Sequence, residues 1–353
     1  MANVFKYGKK AIMATLLLIL IVVTSACSSK APAQGENNNP GMGNSNSFGK
    51  MVLYTSQPQD DVTKLLDGFK AKYPGVDVQV FRSGTEEVIS RFTMEAQGGK
   101  PQADVLFLAD APTFQRLKDQ CFLEAYTSPE LNEINPDFVD PDHMYAGTKL
   151  IATGIVYNTS APKPEATWQF LLSEQAKNKV VMPSPFYSGA AAFNLSVLTR
   201  EGFAGWNFFE KLKANGVQIV KGNGDVKKMV ASGEKPYGIL INFEALKAKK
   251  QGSPVDFIYP REGLPVITEP VAIVKGAPHP EMARKFVDFV LSKEGQQLAA
   301  KIGFYMPVRK DVPPPEGYPP LSEIKFLQRD PKELALVRED DKKKFADLFN
   351  LPK

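Results

Sequence analysis

Lys179-Val180-Val181-Met182-Pro183-Ser184-Pro185-Phe186-Tyr187-Ser188-Gly189-Ala190-Ala191-Ala192-Phe193 sets the reading of the whole chain. Its first five residues read as a short buried strand ended by proline, which has no backbone donor to continue a ladder. Over residues 190–199 the apolar side chains recur on a helical period. The turn between them is therefore a strand-to-helix junction, with Ser188 as N-cap and Gly189 allowing close backbone approach. The first amides of such a helix lack internal acceptors and sit at its positive end, so the junction can hold an anion. Capping its own helix is an equally ordinary task for Ser188, and the rest of the chain has to decide.

Upstream the same grammar repeats. Met51-Val52-Leu53-Tyr54 is a short apolar run that gives way to Thr55-Ser56-Gln57, and Val62, Leu65, Leu66 and Phe69 then fall at i, i+3, i+4, i+7. Val76, Val78 and Val80 alternate as a strand, Ser83-Gly84-Thr85 follows, and Val88, Ile89 and Phe92 mark a second helix, which Ser83 or Thr85 is expected to cap. Residues 103–108 form a third apolar strand ending at Asp110, with Phe114 and Leu117 in the helix beyond. Strands alternating with helices predict βαβ units and a mostly parallel sheet, hence an α/β fold. In open α/β sheets ligands bind outside the carboxyl ends of the strands. The candidate ligand-binding residues at these ends are Thr55, Ser56, Gln57, Ser83, Gly84, Thr85, Asp110, Tyr187, Ser188, Gly189 and Ala190.

A chain of 353 residues exceeds what one core usually fills, so two lobes are expected. Residues 147–158 and 264–274 read as strands passing between them, with Thr153-Gly154 and Val266-Ile267 absorbing any rotation. Lobe 1 is placed at residues 51–152 plus 270–353, including the C-terminal helices, and lobe 2 at 153–269. Strand 235–241 ends at Asn242 and Phe243, and Glu269 lies on the return passage, which adds these three residues to the candidate site. Helices are expected over 281–291, 294–302 and 333–349, with an irregular proline-rich segment at 312–320.

The front end carries a different message. Lys6, Lys9 and Lys10 precede an apolar run over 11–23 and the small residues Thr24-Ser25-Ala26, the pattern of a secretory signal over residues 1–26. Removing it takes three lysines and no acids from the formal charge of +4, leaving 40 bases against 39 acids. No basic excess remains to engage nucleic-acid phosphates, and no nucleic-acid partner is expected. Residues 27–50 hold almost nothing apolar to bury and read as a flexible tether. Cys121, beside Phe122 and Leu123, is expected to pack as a small apolar side chain, and with one other cysteine there is no disulfide framework.

Several segments together resemble the solute-binding lipoproteins of ABC importers, in the branch that includes ferric-ion binders. The carriers are Leu53-Tyr54-Thr55-Ser56, Arg82-Ser83-Gly84-Thr85-Glu86-Glu87-Val88, Ala103-Asp104-Val105-Leu106 with Ala109-Asp110, and Gly154-Ile155-Val156-Tyr157-Asn158. They continue with residues 183–191, Gly252-Ser253-Pro254-Val255-Asp256-Phe257, Thr268-Glu269-Pro270-Val271-Ala272-Ile273 and residues 283–295, so that the resemblance covers most of 51–310. It implies the two-lobed type II periplasmic-binding-protein fold, with ligand in the cleft between lobes joined by crossover strands. Cys27, following Ser25-Ala26, is similar to a lipobox cysteine, although Thr24 stands where leucine is usual. That likeness implies lipidation of Cys27 and anchoring on the outer face of a membrane. The implied partners are a small-molecule solute, a membrane permease of the ABC type and the membrane itself through the lipid; a monomer with no cofactor is expected.

Ferric binders of that branch use adjacent tyrosines after a second-lobe strand, where this chain has Asn242-Phe243. Tyr187 and Tyr237 stand in separate loops and His143 and His279 are the only histidines, so no ligand set for a metal assembles. Hydroxyls, glycine-flanked amides and helix N-termini suit an oxyanion, with Tyr54, Tyr187 and Phe243 to cover an organic portion. The expected solute is a phosphonate or phosphate ester, with ferric iron as the alternative. Asp110 and Glu269 would repel an anion unless they meet an amino or hydroxyl group, which a zwitterion such as an aminophosphonate supplies. A ligand sensor for a membrane receptor would share this fold and cleft, and a surface hydrolase using paired carboxylates is a further rival. No nucleophile elbow, P-loop or zincin motif is present, and no enzyme activity is expected.

Overall fold

The computed structural model describes residues 49–320 and 323–351. The expected signal, Cys27 and the tether up to residue 48 lie outside these residues. The alternation read from the sequence produces β1 (Lys50–Thr55), α1 (Gln59–Lys72), β2 (Asp77–Arg82), α2 (Thr85–Gln97), β3 (Val105–Phe107) and α3 (Ala111–Asp119). β1 runs parallel to both neighbours, with Leu53 opposite Val80 on one side and Val105 on the other. The apolar stripe of α1 is buried, and its Phe69 ring meets Phe286 edge-on at 5.2 Å.

The chain continues through β4 (Leu123–Glu124), β5 (Ala146–Asn158), β6 (Val180–Pro183), α4 (Gly189–Leu198), α5 (Gly205–Ala214), β7 (Gln218–Val220) and α6 (Asn223–Ser232). Then follow β8 (Tyr237–Ile241), α7 (Asn242–Lys250), β9 (Val255–Ile258), β10 (Leu264–Val274), α8 (Pro280–Leu291), α9 (Lys293–Gly303), β11 (Met306–Pro307), β12 (Phe326–Leu327) and α10 (Pro331–Phe349). The strand order is β2-β1-β3-β10-β5-β8-β6-β7. β5 is shared: residues 146–152 pair antiparallel with β10, and residues 153–158 pair with β8 and β9. Two βα halves, β2-β1-β3 and β8-β6-β7, thus hang from one antiparallel β5–β10 pair. The sheet is therefore mixed rather than mostly parallel as expected, because the crossover strands β10 and β5 pair antiparallel with their neighbours β3 and β8. The buried core extends into both halves, with Phe69, Phe92 and Phe286 in the first and Trp168, Phe208 and Phe209 in the second. Trp168 donates from Nε1 to the Gly263 carbonyl at 2.8 Å, satisfying the indole that packing buries.

Three local expectations are corrected. Thr85 does not cap α2: the N-cap is Gly84, which has no side chain to offer, and Thr85 is the first helical residue. Ser83 does not cap it either, because its hydroxyl is taken by Glu87 one turn on. Cys121 is exposed rather than packed, since it sits at φ 59° in the turn that closes α3 and its side chain is carried outward. Gly154 in β5 also has a packing task, because a Cβ there would stand 2.6 Å from the Phe257 ring.

Candidate functional site

A cavity of about 700 Å³ opens between the two halves. Five helices begin on it: α1 through Pro58 and Gln59, α2 through Gly84 and Thr85, α4 through Ser188 to Ala190, α6 through Gly222 to Asp225, and α7 through Phe243 and Glu244. Each helix leaves the carboxyl end of a strand, so the topology collects their N-termini at one place. The amides of Thr85, Gly189, Ala190, Asn223 and Gly224 have no acceptor among the described residues, and all five residues line the cavity. First-turn amides of this kind are strong donors without an intrahelical partner, at the positive end of the helix dipole.

Ser188 caps α4 as expected, and it also lines the cavity. Its Oγ accepts from the Ala191 amide at 3.2 Å, capping α4, and from Asn223 Nδ2 at 3.0 Å. With both lone-pair sites used, the hydroxyl proton is free to donate into the cavity. α4 has no acidic residue in its first turn to offset its dipole. In α2 the first-turn acids are engaged elsewhere, Glu86 with Arg338 and Lys342 and Glu87 with Lys221. Burial opposes the charge on Glu86, but the paired cations override it and hold the carboxyl down to about 2.

The halves touch across the cavity. A Cβ at Gly189 would lie 2.6 Å from the Ala109 carbonyl oxygen, and one at Gly84 would lie 2.5 Å from the Tyr187 ring and 2.6 Å from the Tyr187 carbonyl. The Glu86 amide donates to that same Tyr187 carbonyl at 3.4 Å. Neither glycine is needed for its φ; both are needed because opposing backbone leaves no room for a side chain. Lys221 stands 4.4 Å above the Tyr187 ring and pairs with Glu87 at 3.1 Å, a second contact across the mouth.

Of the expected residues, Ser56, Gln57, Gly84, Thr85, Tyr187, Ser188, Gly189, Ala190, Phe243 and Glu269 line the cavity. Thr55, Ser83, Asp110 and Asn242 do not, and each has a structural partner instead. Thr55 donates to the Phe107 carbonyl at 2.8 Å and accepts from the Gln57 amide. Asp110 caps α3 through the Thr113 amide at 2.9 Å and takes Arg338 at 2.6 Å. Asn242 Oδ1 accepts from the Ala152 and Phe243 amides. Tyr54 and Tyr237 are also buried outside the cavity, Tyr54 donating to Glu95 and Tyr237 to the Pro162 carbonyl. The sequence reading missed the run 221–228, which brings Lys221, Lys227 and Lys228 to the wall, together with Arg82 and Lys247. Its signal was present: a short strand followed by Gly222-Asn223-Gly224, the same junction that marks Ser188.

The floor carries buried charge in balanced pairs. Glu269 sits where the β5–β10 register shifts, an irregularity that turns its side chain toward Lys149 and Gln57. Burial pushes the Glu269 carboxyl up and the Lys149 ammonium down, each toward its neutral form, while their mutual attraction opposes both shifts. Lys247 pairs with Asp61 and Lys227 with Glu244, so these acids also present little net charge. Among the described residues no group of three or more His, Cys, Asp or Glu is placed to hold a metal ion. None of their helices is long and apolar enough to cross a membrane.

Two halves on shared strands, with a cleft ringed by helix N-termini, define a periplasmic-binding-protein architecture. The model of the bacterial extracellular solute-binding protein family matches residues 51–305, and the chain belongs to that family. It is the extracytoplasmic solute-binding component of an ABC importer; members of the family are binding proteins for transporters rather than enzymes. A periplasmic protein of Salmonella typhimurium whose name assigns it 2-aminoethylphosphonate is 29% identical over 271 residues, spanning 70% of this chain and 74% of the relative. Iron uptake protein A1 of Synechocystis is 26% identical over 277 residues, spanning 74% and 76%. The structure of the periplasmic binding protein AfuA from Actinobacillus pleuropneumoniae, with fructose-6-phosphate bound, superimposes with a TM-score of 0.79 at 25% identity, covering 87% of this chain and all of AfuA.

Proposed function

We propose that this chain captures a small organic solute bearing a phosphonate or phosphate-ester group and delivers it to a permease, held at the membrane by a lipid on Cys27. The observation that carries the reading is the set of five unpartnered helix-start amides, from Thr85, Gly189, Ala190, Asn223 and Gly224, on one cavity. An oxyanion accepts several such donors at once, and their dipoles favour its charge. Capture proceeds by closure of lobe 1 (residues 51–152 and 270–353) on lobe 2 (153–269), so that donors from both lobes meet one ligand. A solute shifts that equilibrium only by its differential affinity for the closed form.

The volume of about 700 Å³ leaves space for an organic body beyond the anionic group, against Tyr187 and Phe243. Asp60 is exposed on the wall with no ion pair among the described residues and is suited to meet an amino group. The relative named for 2-aminoethylphosphonate and the AfuA neighbour holding fructose-6-phosphate point the same way. The ferric reading has the iron uptake relative on its side. In this chain, however, it rests on one cavity tyrosine, Tyr187, since Tyr237 is buried elsewhere.

The test is a thermal-shift panel of 2-aminoethylphosphonate, fructose 6-phosphate and ferric citrate on refolded, ligand-stripped protein. Ligand at a hundred times its Kd stabilises by about 2.7 kcal/mol, a shift of a few degrees for a body of this size. Thr85→Ala combined with Ser188→Ala should weaken the positive solute by about tenfold while the ligand-free melt holds within a few degrees. A shift with ferric citrate alone would replace the oxyanion reading with the iron one.

A further inference from the structure

We infer that the C-terminal helix α10 is a strap that binds the two halves together along the flank of the cleft, with Arg338 as a positioning residue for the helices that line it. α10 lies in the groove between α3 of the first half and α4 of the second. Its inward stripe is ionic at the middle. Arg338, 3% exposed in its side chain, reaches Asp110 at 2.6 Å with one terminal nitrogen and Glu86 at 2.7 Å with the other. Three residues on, Asp341 accepts from Arg200 at 2.7 and 3.3 Å. Positions i and i+3 share a helix face, so one turn of α10 grips both halves.

Each grip acts on the cavity through one intermediary. Asp110 directly follows the wall residue Ala109, and Glu86 is in the first turn of α2, next to the wall residue Thr85. Arg200 stands just beyond the C-terminal end of α4, whose opposite end supplies Ser188, Gly189 and Ala190 to the wall. A guanidinium fork spanning two carboxylates fixes their separation in a way that apolar packing does not. Buried ion pairs of this kind contribute more to geometry than to net stability, because desolvation offsets much of their attraction. They also suit a seam that opens, since water re-solvates the separated charges.

The inference rests on capture by closure, and its test is read without any solute. In the full chain carrying Cys27→Ser, spin labels on the native Cys121 and on Glu234→Cys report the separation of the halves by pulsed electron resonance. Both label positions are exposed and neither lines the cavity. Without solute the parent should give a short and a long distance together, and Arg338→Met should raise the ratio of open to closed about tenfold, the change expected for loss of a charge-assisted contact. Arg200→Gln cuts the other grip at a less buried site and should do the same; it decides the matter if Arg338→Met fails to fold. Distance distributions in the folded variants that superimpose on the parent would overturn the strap. Failure of the whole solute panel would leave this measurement untouched and count only against the solute reading.

Discussion

The contact between Gly189 and Ala109 makes closure testable with one methyl group. A Cβ on Gly189 would stand 2.6 Å from the Ala109 carbonyl oxygen and 3.0 Å from Thr85. Comfortable separation is about 3.5 Å, so the halves would have to part by close to 1 Å, and the opposing atom is backbone that cannot rotate away. Overpacking of this kind costs about 1–3 kcal/mol. The cost falls on the closed form alone, because the methyl meets nothing once the halves separate. Affinity for a solute that bridges them should therefore fall about 5- to 150-fold in Gly189→Ala. Stability should move the other way. Gly189 opens α4 without a positive φ, so alanine fits the backbone and restricts the unfolded chain, a gain of about 0.4–1 kcal/mol. Titration calorimetry with the panel solute that binds, beside a melt of the ligand-free protein, reads both signs. Unchanged affinity would refute the closure geometry, and affinity and melting temperature falling together would show a damaged fold instead.

The buried charges give two further outcomes. Glu86 is held down to about 2 in the folded chain, against about 4.5 unfolded. A depressed carboxyl contributes stability above its unfolded value that is lost as pH falls through the folded one. The contribution is about 3 kcal/mol at neutral pH, fading between roughly pH 5 and 2. Melting curves from pH 7 to 3 should fall more steeply for the parent than for Glu86→Gln, and parallel curves would contradict the assignment. Lys149→Met strands Glu269 in the floor of the cavity and should cost about 3–5 kcal/mol by denaturant unfolding. Adding Glu269→Gln should recover much of that loss, and a double variant as unstable as the single one would show that Lys149 matters for packing alone.

Which residues were legible before the structure follows from how far away their partners lie. The strand-to-helix junctions are local, so Ser56, Gln57, Gly84, Thr85 and residues 187–190 were found from spacing, and they do line the cavity. Gly222-Asn223-Gly224 follows β7, a strand of three residues whose side chains are only partly buried, too short a run to mark the junction beyond it by apolar pattern. α7 was not anticipated, because its buried positions include Asn242 and Glu244, polar residues whose burial depends on Ala152 and Lys227 elsewhere in the chain. Asp110 looked like a cleft carboxylate for the same reason. Its partner Arg338 is 228 residues away and no local pattern announces it.

That distant partner also removes the main objection to an anionic solute. Read from sequence, Asp110 and Glu269 face the cleft and repel a phosphonate. In the folded chain Asp110 is spent on capping α3 and on Arg338, and Glu269 is matched by Lys149 and Gln57. Glu244 is matched by Lys227, and Asp225 accepts from the Gly222 amide. Asp60 alone among the wall acids has no such partner among the described residues, whereas Lys228 stands on the wall without an ion pair. With the fixed charges nearly cancelled, the proposed oxyanion site rests on uncompensated helix dipoles and free amides. Such donors have directions as well as sign. A tetrahedral oxyanion can meet several of them at once, which chloride cannot. On the proposed reading, the placement of Thr85, Gly189, Ala190, Asn223 and Gly224 should favour phosphonate over chloride. A titration at low and at high sodium chloride should therefore leave phosphonate affinity the same within about twofold, and a larger loss would refute the site.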